Sequence, residues 1–534
     1  MINELKATLK RENNYQMTEN GAVGYKSTGS ALTDLNFRVT SMRNGITADD
    51  MYLFCDAMNE DLEYAIKWLF FARDVRGGMG ERDVFQRFYM QYAELYPNEA
   101  KATLKLVAEF GRWKDVIDII NIDQDNNLGG LELVKDTLRN DIHNYMVGES
   151  ISLLAKWMPS INASGKARKQ AKRFAKAFGL TYESYRKMLS KLRAHLDVTE
   201  VKTCANRWDE IDYNKVSSNA NKRYMNAFKK HDGERYMEHC TKALDVTSND
   251  VKMHASVLFP HEIWEKYTQL PGLSYDDCYY RDYYANSPYK FGYDMVEPAP
   301  ADISLEAMWK NLADMGDCGN TMVVVDGSGS MTSGHSVKPI NIARSLGVYF
   351  AERCQGEFNN ILMEFSSRPK LIDLNGCETL RDKVMELSKY TDCSNTDIEA
   401  VFMLILQSAI NANMKQSDLP DRILIVSDME FDTATNHTRC VYGMKALFNE
   451  LADRYAKYGY KLPKLVFWNV NSRTKTIPMT ENEMGVVLVS GFSPNIMSMV
   501  MSDQTDPWLA LKEKLDSNRY DCVSDTLKSV REND

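Results

Sequence analysis

The sequence predicts two architectures in one chain: an all-α helical-repeat region followed by an α/β domain with a doubly wound sheet. Three observations carry this. Before residue 318, apolar residues recur at helical spacing and β-branched runs are few. After it, short apolar runs alternate with helical stretches, as in a sheet covered by helices on both faces. The chain has 534 residues and is 44% hydrophobic, enough for more than one packed core.

Taken in order, residues 1–33 are polar, hold Gly21, Gly24 and Gly29, and read as a flexible or extended arm. Segments 49–72, 81–95, 99–109, 112–120, 131–145, 166–178, 182–195 and 221–231 read as helices. Asp49, Asp50 and Pro97 sit where helices begin. Short helices on short loops, spanning 34–271, bury their apolar faces against neighbouring pairs, as repeats do. Residues 272–317 form a connector in which Tyr275, Tyr279, Tyr280, Tyr283, Tyr284, Tyr289 and Tyr293 fall among Pro288, Pro298 and Pro300. In the domain at 318–503, strands are expected at 321–326, 361–365, 369–374, 423–428, 464–470 and 486–490. Helices are expected there at 339–354, 378–390, 397–413, 440–458 and 494–502, and 504–534 reads as a helical tail.

A formal net charge of −9 excludes a uniformly basic coat but not a local patch. No apolar run is long enough for a membrane helix, and the N-terminus lacks a signal-peptide pattern. A cytoplasmic protein without a membrane partner is expected. The ten cysteines include no Cys-x-x-Cys pair, so reduced thiols are expected rather than a disulfide framework or zinc cluster. The eight histidines are dispersed and form no paired-His metal motif, so no enzyme is expected.

The most informative stretch is Asp326-Gly327-Ser328-Gly329-Ser330, placed after the apolar run 322–325. A strand ending in Asp-x-Ser-x-Ser puts one carboxylate and two hydroxyls on a tight loop beyond the sheet's carboxyl edge, where such sheets bind ligands. Oxygen-only donors suit a hard cation. The loop lacks the Gly-Lys-Ser/Thr ending of a phosphate-binding P-loop and the first glycine of a nucleophile elbow.

Two later segments complete the pattern: Ser394-Asn395-Thr396-Asp397 before a helix, and Ser427-Asp428 after a strand. In order and spacing, residues 318–500 resemble a von Willebrand factor A domain, and the loop resembles its metal-ion-dependent adhesion site. The resemblance implies Asp326, Ser328, Ser330, Thr396 and Asp428 as the metal set. It implies Mg²⁺, or another divalent cation such as Mn²⁺ or Ca²⁺, with an outside carboxylate or phosphate oxygen completing the shell. A protein partner supplying that carboxylate is one expectation.

In the helical half, Gly29-Ser30-Ala31-Leu32-Thr33-Asp34-Leu35, the Arg73–Asp83 stretch with Gly77-Gly78-Met79-Gly80, and Phe110-Gly111-Arg112-Trp113-Lys114-Asp115 resemble the helical module of the Ro ribonucleoprotein family, TROVE. The nearer resemblance is to a less characterised family, with cellular and phage members, that joins a TROVE-like module to a C-terminal von Willebrand A domain. The resemblance implies HEAT-like repeats forming a ring, and structured or single-stranded RNA as partner. The glycine turn reads as a tight helix–helix connection, with a phosphate cradle as the alternative.

Charge adds an independent indication. From Lys156 to His195 there are eleven Lys/Arg and one acid, Glu183. The candidate RNA-binding residues are Lys166, Arg168, Lys169, Lys172, Arg173, Lys176, Arg186 and Lys187, and Lys169, Lys172, Arg173 and Lys176 share one helical face. The sequence-level conclusion is a non-catalytic, ring-like RNA-binding scaffold with a Mg²⁺-dependent site for an acidic ligand. The alternative is a metal-dependent protein–protein adapter or assembly protein, cellular or phage, without RNA binding.

Overall fold

The structure, a computed structural model, describes residues 13–18, 23–248, 250–274, 276–277, 281, 296–332, 337–365, 369–390, 397–430, 443–472, 474–475, 477, 486–501 and 506–532. It divides into two compact units, each discontinuous in sequence. Met1–Glu60 joins His239–Lys514, and Asp61–Glu238 joins Leu515–Asp534. Among the described residues no helix is long and apolar enough to cross a membrane.

The first unit is built on a six-stranded mixed sheet. Its strands are β3 (Thr321–Asp326), β4 (Ile361–Phe365), β5 (Lys370–Asp373), β6 (Arg422–Ser427), β7 (Lys464–Asn469) and β8 (Val486–Ser490), in the order β5-β4-β3-β6-β7-β8. β3 pairs in parallel with β4 and β6, β6 with β7, and β7 with β8; only β5 is antiparallel. Every residue of β3 is buried, as a central strand covered on both faces requires. Met322 and Val324 pack with Val401, Phe402, Phe448 and Leu451 from helices Ile398–Asn411 and Gly443–Lys457. The intervening Val323 and Val325 face helix Pro339–Ala351, where Gly347 has no room for a Cβ beside the Val325 side chain. Period-two alternation thus sends neighbouring residues to opposite helix layers. This is the helix-covered sheet the alternating pattern predicts.

The first sixty residues belong to this unit. β1 (Tyr15–Met17) and β2 (Val23–Tyr25) pair antiparallel, and Tyr25 bridges Ile477. Helix Ala31–Arg38 ends against the sheet: Asn469 Nδ2 donates to Phe37 O at 2.9 Å, and Thr40 and Ser490 hydroxyls lie 2.9 Å apart. Lys475 Nζ pairs with the buried Asp50 at 2.6 Å. The segment 272–317 contains helix Ile303–Lys310, whose Glu306 accepts from Leu380 N at 2.8 Å. The seven tyrosines named for the connector lie outside the described residues.

The second unit is helical. The expected helix over 49–72 is two helices, Ala48–Glu60 and Leu62–Arg73, and the break falls where the two units part. Its cause is local: Asp61 is an N-cap whose carboxylate accepts from Tyr64 N at 3.1 Å, worth about 1 kcal/mol. The glycine turn serves close approach. A Cβ on Gly77 would lie 2.8 Å from Arg519 Nε, and one on Gly78 would collide with the Phe71 carbonyl. Arg519 and the Tyr520 hydroxyl both donate to buried Asp74, and Tyr520 stacks on Phe110 at 5.5 Å. Beside them Arg73 is paired with Asp115, both fully buried. The last helix, Asp521–Arg531, therefore completes this unit's core rather than trailing from it.

Candidate functional site

β3 and β6 end at the same edge of the sheet, and their last residues meet there. Asp326 and Asp428 are fully buried, Ser328 is buried and Ser330 half-buried. Asp326 Oδ1 accepts from Ser328 N at 2.9 Å, closing the loop onto its own carboxylate. Ser328 and Ser330 hydroxyls lie 2.9 Å apart. Asp326 Oδ2 accepts from Ser427 Oγ at 2.5 Å, and that same oxygen accepts from Met429 N at 3.0 Å. Asp428 Oδ1 accepts from Glu430 N at 3.3 Å. The structure thus brings together four of the five residues named for the metal. Thr396 lies outside the described residues.

The electrostatics of this cluster are those of crowded anions. Burial raises the Asp428 carboxyl above the usual carboxylate range, and the neighbouring Asp326 raises it further. A cation close to the two would favour their charged forms and offset both effects. The donors are carboxylate and hydroxyl oxygens, which fit a hard divalent ion and not a soft one. Among the described residues no group of three His, Cys, Asp or Glu forms a metal cage, so any ion here depends on the serine hydroxyls.

Three supporting residues escaped the sequence reading. Ser427 was visible only as the neighbour of Asp428. Glu364, opposite Val325 in the β3–β4 register, lies so close to Gly327 that a Cβ there would be 2.6 Å from its Oε1. It pairs with Arg344 at 3.3 Å, and Arg344 also donates to Tyr390 O at 2.5 Å. Met429 has φ +64°, a left-handed conformation that β6 and the Ser427 bond hold in place. A glycine would have been the legible signal for that turn.

The basic candidates fall on helices Gly165–Ala177 and Tyr182–His195. Lys166, Arg168, Lys169, Lys176 and Arg186 are exposed and pair with no acid among the described residues. Ala171, Phe174 and Ala175 occupy the buried face opposite. Lys187 pairs with Glu183 at 2.7 Å. Lys172 is half-buried, its ammonium 5.4 Å from the ring of exposed Tyr182. Arg173 turns away from this face and donates to the Ile120, Asp123 and Gln124 carbonyls, satisfying the end of helix Trp113–Ile122. Phe174 and Tyr185, which fall among these basic residues in sequence, are core residues.

Residues 18–147 and 131–314 match the model of a family described as "Domain of unknown function (DUF2828)". The chain belongs to this family. The DUF2828 match takes in both basic helices. A second model, "Domain of unknown function (DUF7788)", matches residues 320–528 and takes in Asp326, Ser328, Ser330 and Asp428. "Uncharacterized protein L728" of Acanthamoeba polyphaga mimivirus is 31% identical over 522 residues, covering 92% of this chain and 85% of that protein. The crystal structure of the RO (RSR) protein of Deinococcus radiodurans is similar over 88% of this chain and 98% of its own, at 12% identity and a TM-score of 0.34. The two candidate sites of this DUF2828 chain fall one in each compact unit.

Proposed function

We propose that this chain is a non-catalytic RNA-binding scaffold with a separate Mg²⁺-dependent site for an acidic group. The observation that carries the RNA reading is the exposed row Lys166, Arg168, Lys169 and Lys176, with Arg186 on the next helix, all without acid partners among the described residues. On a chain of net charge −9, such a local excess makes a positive patch that attracts polyanions. The phosphate groups of RNA form such a polyanion, and counterion release makes the binding steeply salt-dependent. The resemblance of the helical half to the Ro ribonucleoprotein module supports the same reading. The test is filter binding of structured RNA to wild type and to a Lys169→Glu/Lys176→Glu variant across a salt series. Wild type is expected to bind more tightly, with a steeper salt slope. Equal affinity and slope would sink the RNA reading.

A second reading is supported by the oxygen cluster: a metal-dependent adapter that captures a protein carboxylate, without RNA. In a von Willebrand A-like site Asp326, Ser328, Ser330, Thr396 and Asp428 would hold Mg²⁺. The ion would supply an open electrophilic position for an acidic oxygen. Ser427 donates to Asp326 and would hold that buried carboxylate in place as one of the metal's ligands. Affinity capture with and without chelator, using wild type and Asp326→Ala, tests this. A partner retained under all four conditions would remove the metal from the account.

A further inference from the structure

Within the helical unit lies a cavity of about 600 Å³, lined by Lys156, Trp157, Arg193, Glu200, Cys204 and Arg223 among others. Its charges are unequally answered. Lys156 pairs with Glu200 at 3.4 Å. Arg193 is half-buried, yet its guanidinium donates only to neutral acceptors: Ala155 O at 2.8 Å, Ser160 Oγ at 2.8 Å and Met158 O at 2.5 Å. No acid pairs with it among the described residues. Burial disfavours its charged form, as it must for a cation removed from water without a counter-ion. Arg223 is exposed and likewise pairs with no acid among the described residues. Neither arginine meets an acid: Arg193 is satisfied by neutral protein acceptors, and the exposed Arg223 guanidinium stays open to an outside anion.

The cavity also holds a flat apolar surface. Trp157 is half-buried, and the Arg112 guanidinium lies 5.3 Å from its ring centroid. An indole in one cavity with an open arginine selects an anion that carries an aromatic ring, and the volume falls within the range of small-molecule sites. We propose that this cavity binds a nucleotide, free or within a single RNA strand, with its base against Trp157 and its phosphate on exposed Arg223, while Arg193, held by protein acceptors, adds only its charge. Only the strand depends on the RNA reading above; the nucleotide does not.

Exposed Cys204 at the lining supplies the readout. The full chain is alkylated with iodoacetamide in the presence of uridine monophosphate, single-stranded octauridylate or blunt duplex RNA, and Cys204 modification is followed by mass spectrometry. Octauridylate and the mononucleotide are expected to slow modification, and the duplex is not. Arg223→Glu and Trp157→Ala are each expected to weaken octauridylate binding about tenfold, with Trp157→Phe retaining most of it and duplex affinity unchanged. Because Arg223 is exposed, its variant answers the question even if Trp157→Ala fails to fold. Protection by the mononucleotide in a chain that binds no RNA would uphold the cavity and refute the RNA reading. Unprotected Cys204 under saturating mononucleotide and octauridylate, or unchanged affinity in Arg223→Glu, would overturn the proposal.

Discussion

Ser427 Oγ donates to Asp326 Oδ2 at 2.5 Å, so the last residue of β6 holds the carboxylate that ends β3. The same oxygen accepts from the Met429 amide, at the turn with φ +64°. One hydroxyl therefore fixes the carboxylate and the strained turn that follows it. Ser427→Ala removes a buried donor and is expected to cost about 1–3 kcal/mol. Urea denaturation checks this, and an unchanged midpoint would show that the loop is held by other contacts.

Mg²⁺ should stabilise the chain through Asp326. Any ion that binds only the folded state raises stability by mass action, about 2.7 kcal/mol at a hundredfold excess over its dissociation constant. A higher thermal midpoint in Mg²⁺, reversed by chelator and absent in Asp326→Ala, is the expected result. An equal rise in that variant would move the ion elsewhere.

Acid should loosen the contact between Asp50 and Lys475. Burial pushes the Asp50 carboxyl up, but hydrogen bonds from Lys475 and from Thr47 prevail and hold it below the usual carboxylate range. With a folded value below the unfolded one near 3.9, its stabilisation is complete above that pH. It is lost as pH falls through the folded value. Comparing denaturation at pH 7 and pH 3 in wild type and Lys475→Met tests the sign. The variant should lose less stability on acidification, and an identical loss would contradict the assignment.

Arg519→Ala should destabilise the helical unit strongly. It leaves the Asp74 carboxylate buried, with the Tyr520 hydroxyl and Arg76 amide still donating. Removing one side of a buried ion pair costs about 3–5 kcal/mol, and the remaining donors place this case near the lower figure. Gly78→Ala should act in the same direction, since its Cβ would meet the Phe71 carbonyl. Circular dichroism melts of the two variants check both, and wild-type melts would show that the C-terminal helix is not needed there.

The parts legible in the sequence were those with local signals. The apolar runs of β3, β6 and β7, and the Asp-x-Ser-x-Ser loop, declare themselves through short-range pattern. What escaped depends on partners far away in the chain. Arg173 and Arg193 read as members of one basic stretch, yet each guanidinium is occupied by backbone carbonyls that composition cannot reveal. Asp61 splits a helix whose apolar period runs through the break, because one capping carboxylate outweighs periodicity at that point. Ser427 bonds Asp326 and Glu364 crowds Gly327 from the strands on either side of β3, a relation set by sheet register and not by spacing.

The interleaving of the two units has a consequence for synthesis. The α/β unit needs residues from both the first sixty positions and the stretch that ends at Lys514, while the helical unit waits for Arg519 and Tyr520. A ribosome delivering the chain can therefore complete the sheet of the first unit only after β8 has emerged, and the helical core only after Arg519 and Tyr520. Phe37, for example, packs in a cluster with Phe467 and Leu488, so these native contacts wait for segments more than four hundred residues further along. An emerging chain with this schedule is a natural client for folding helpers, and cutting the gene between its halves would leave each product lacking a segment of its own core.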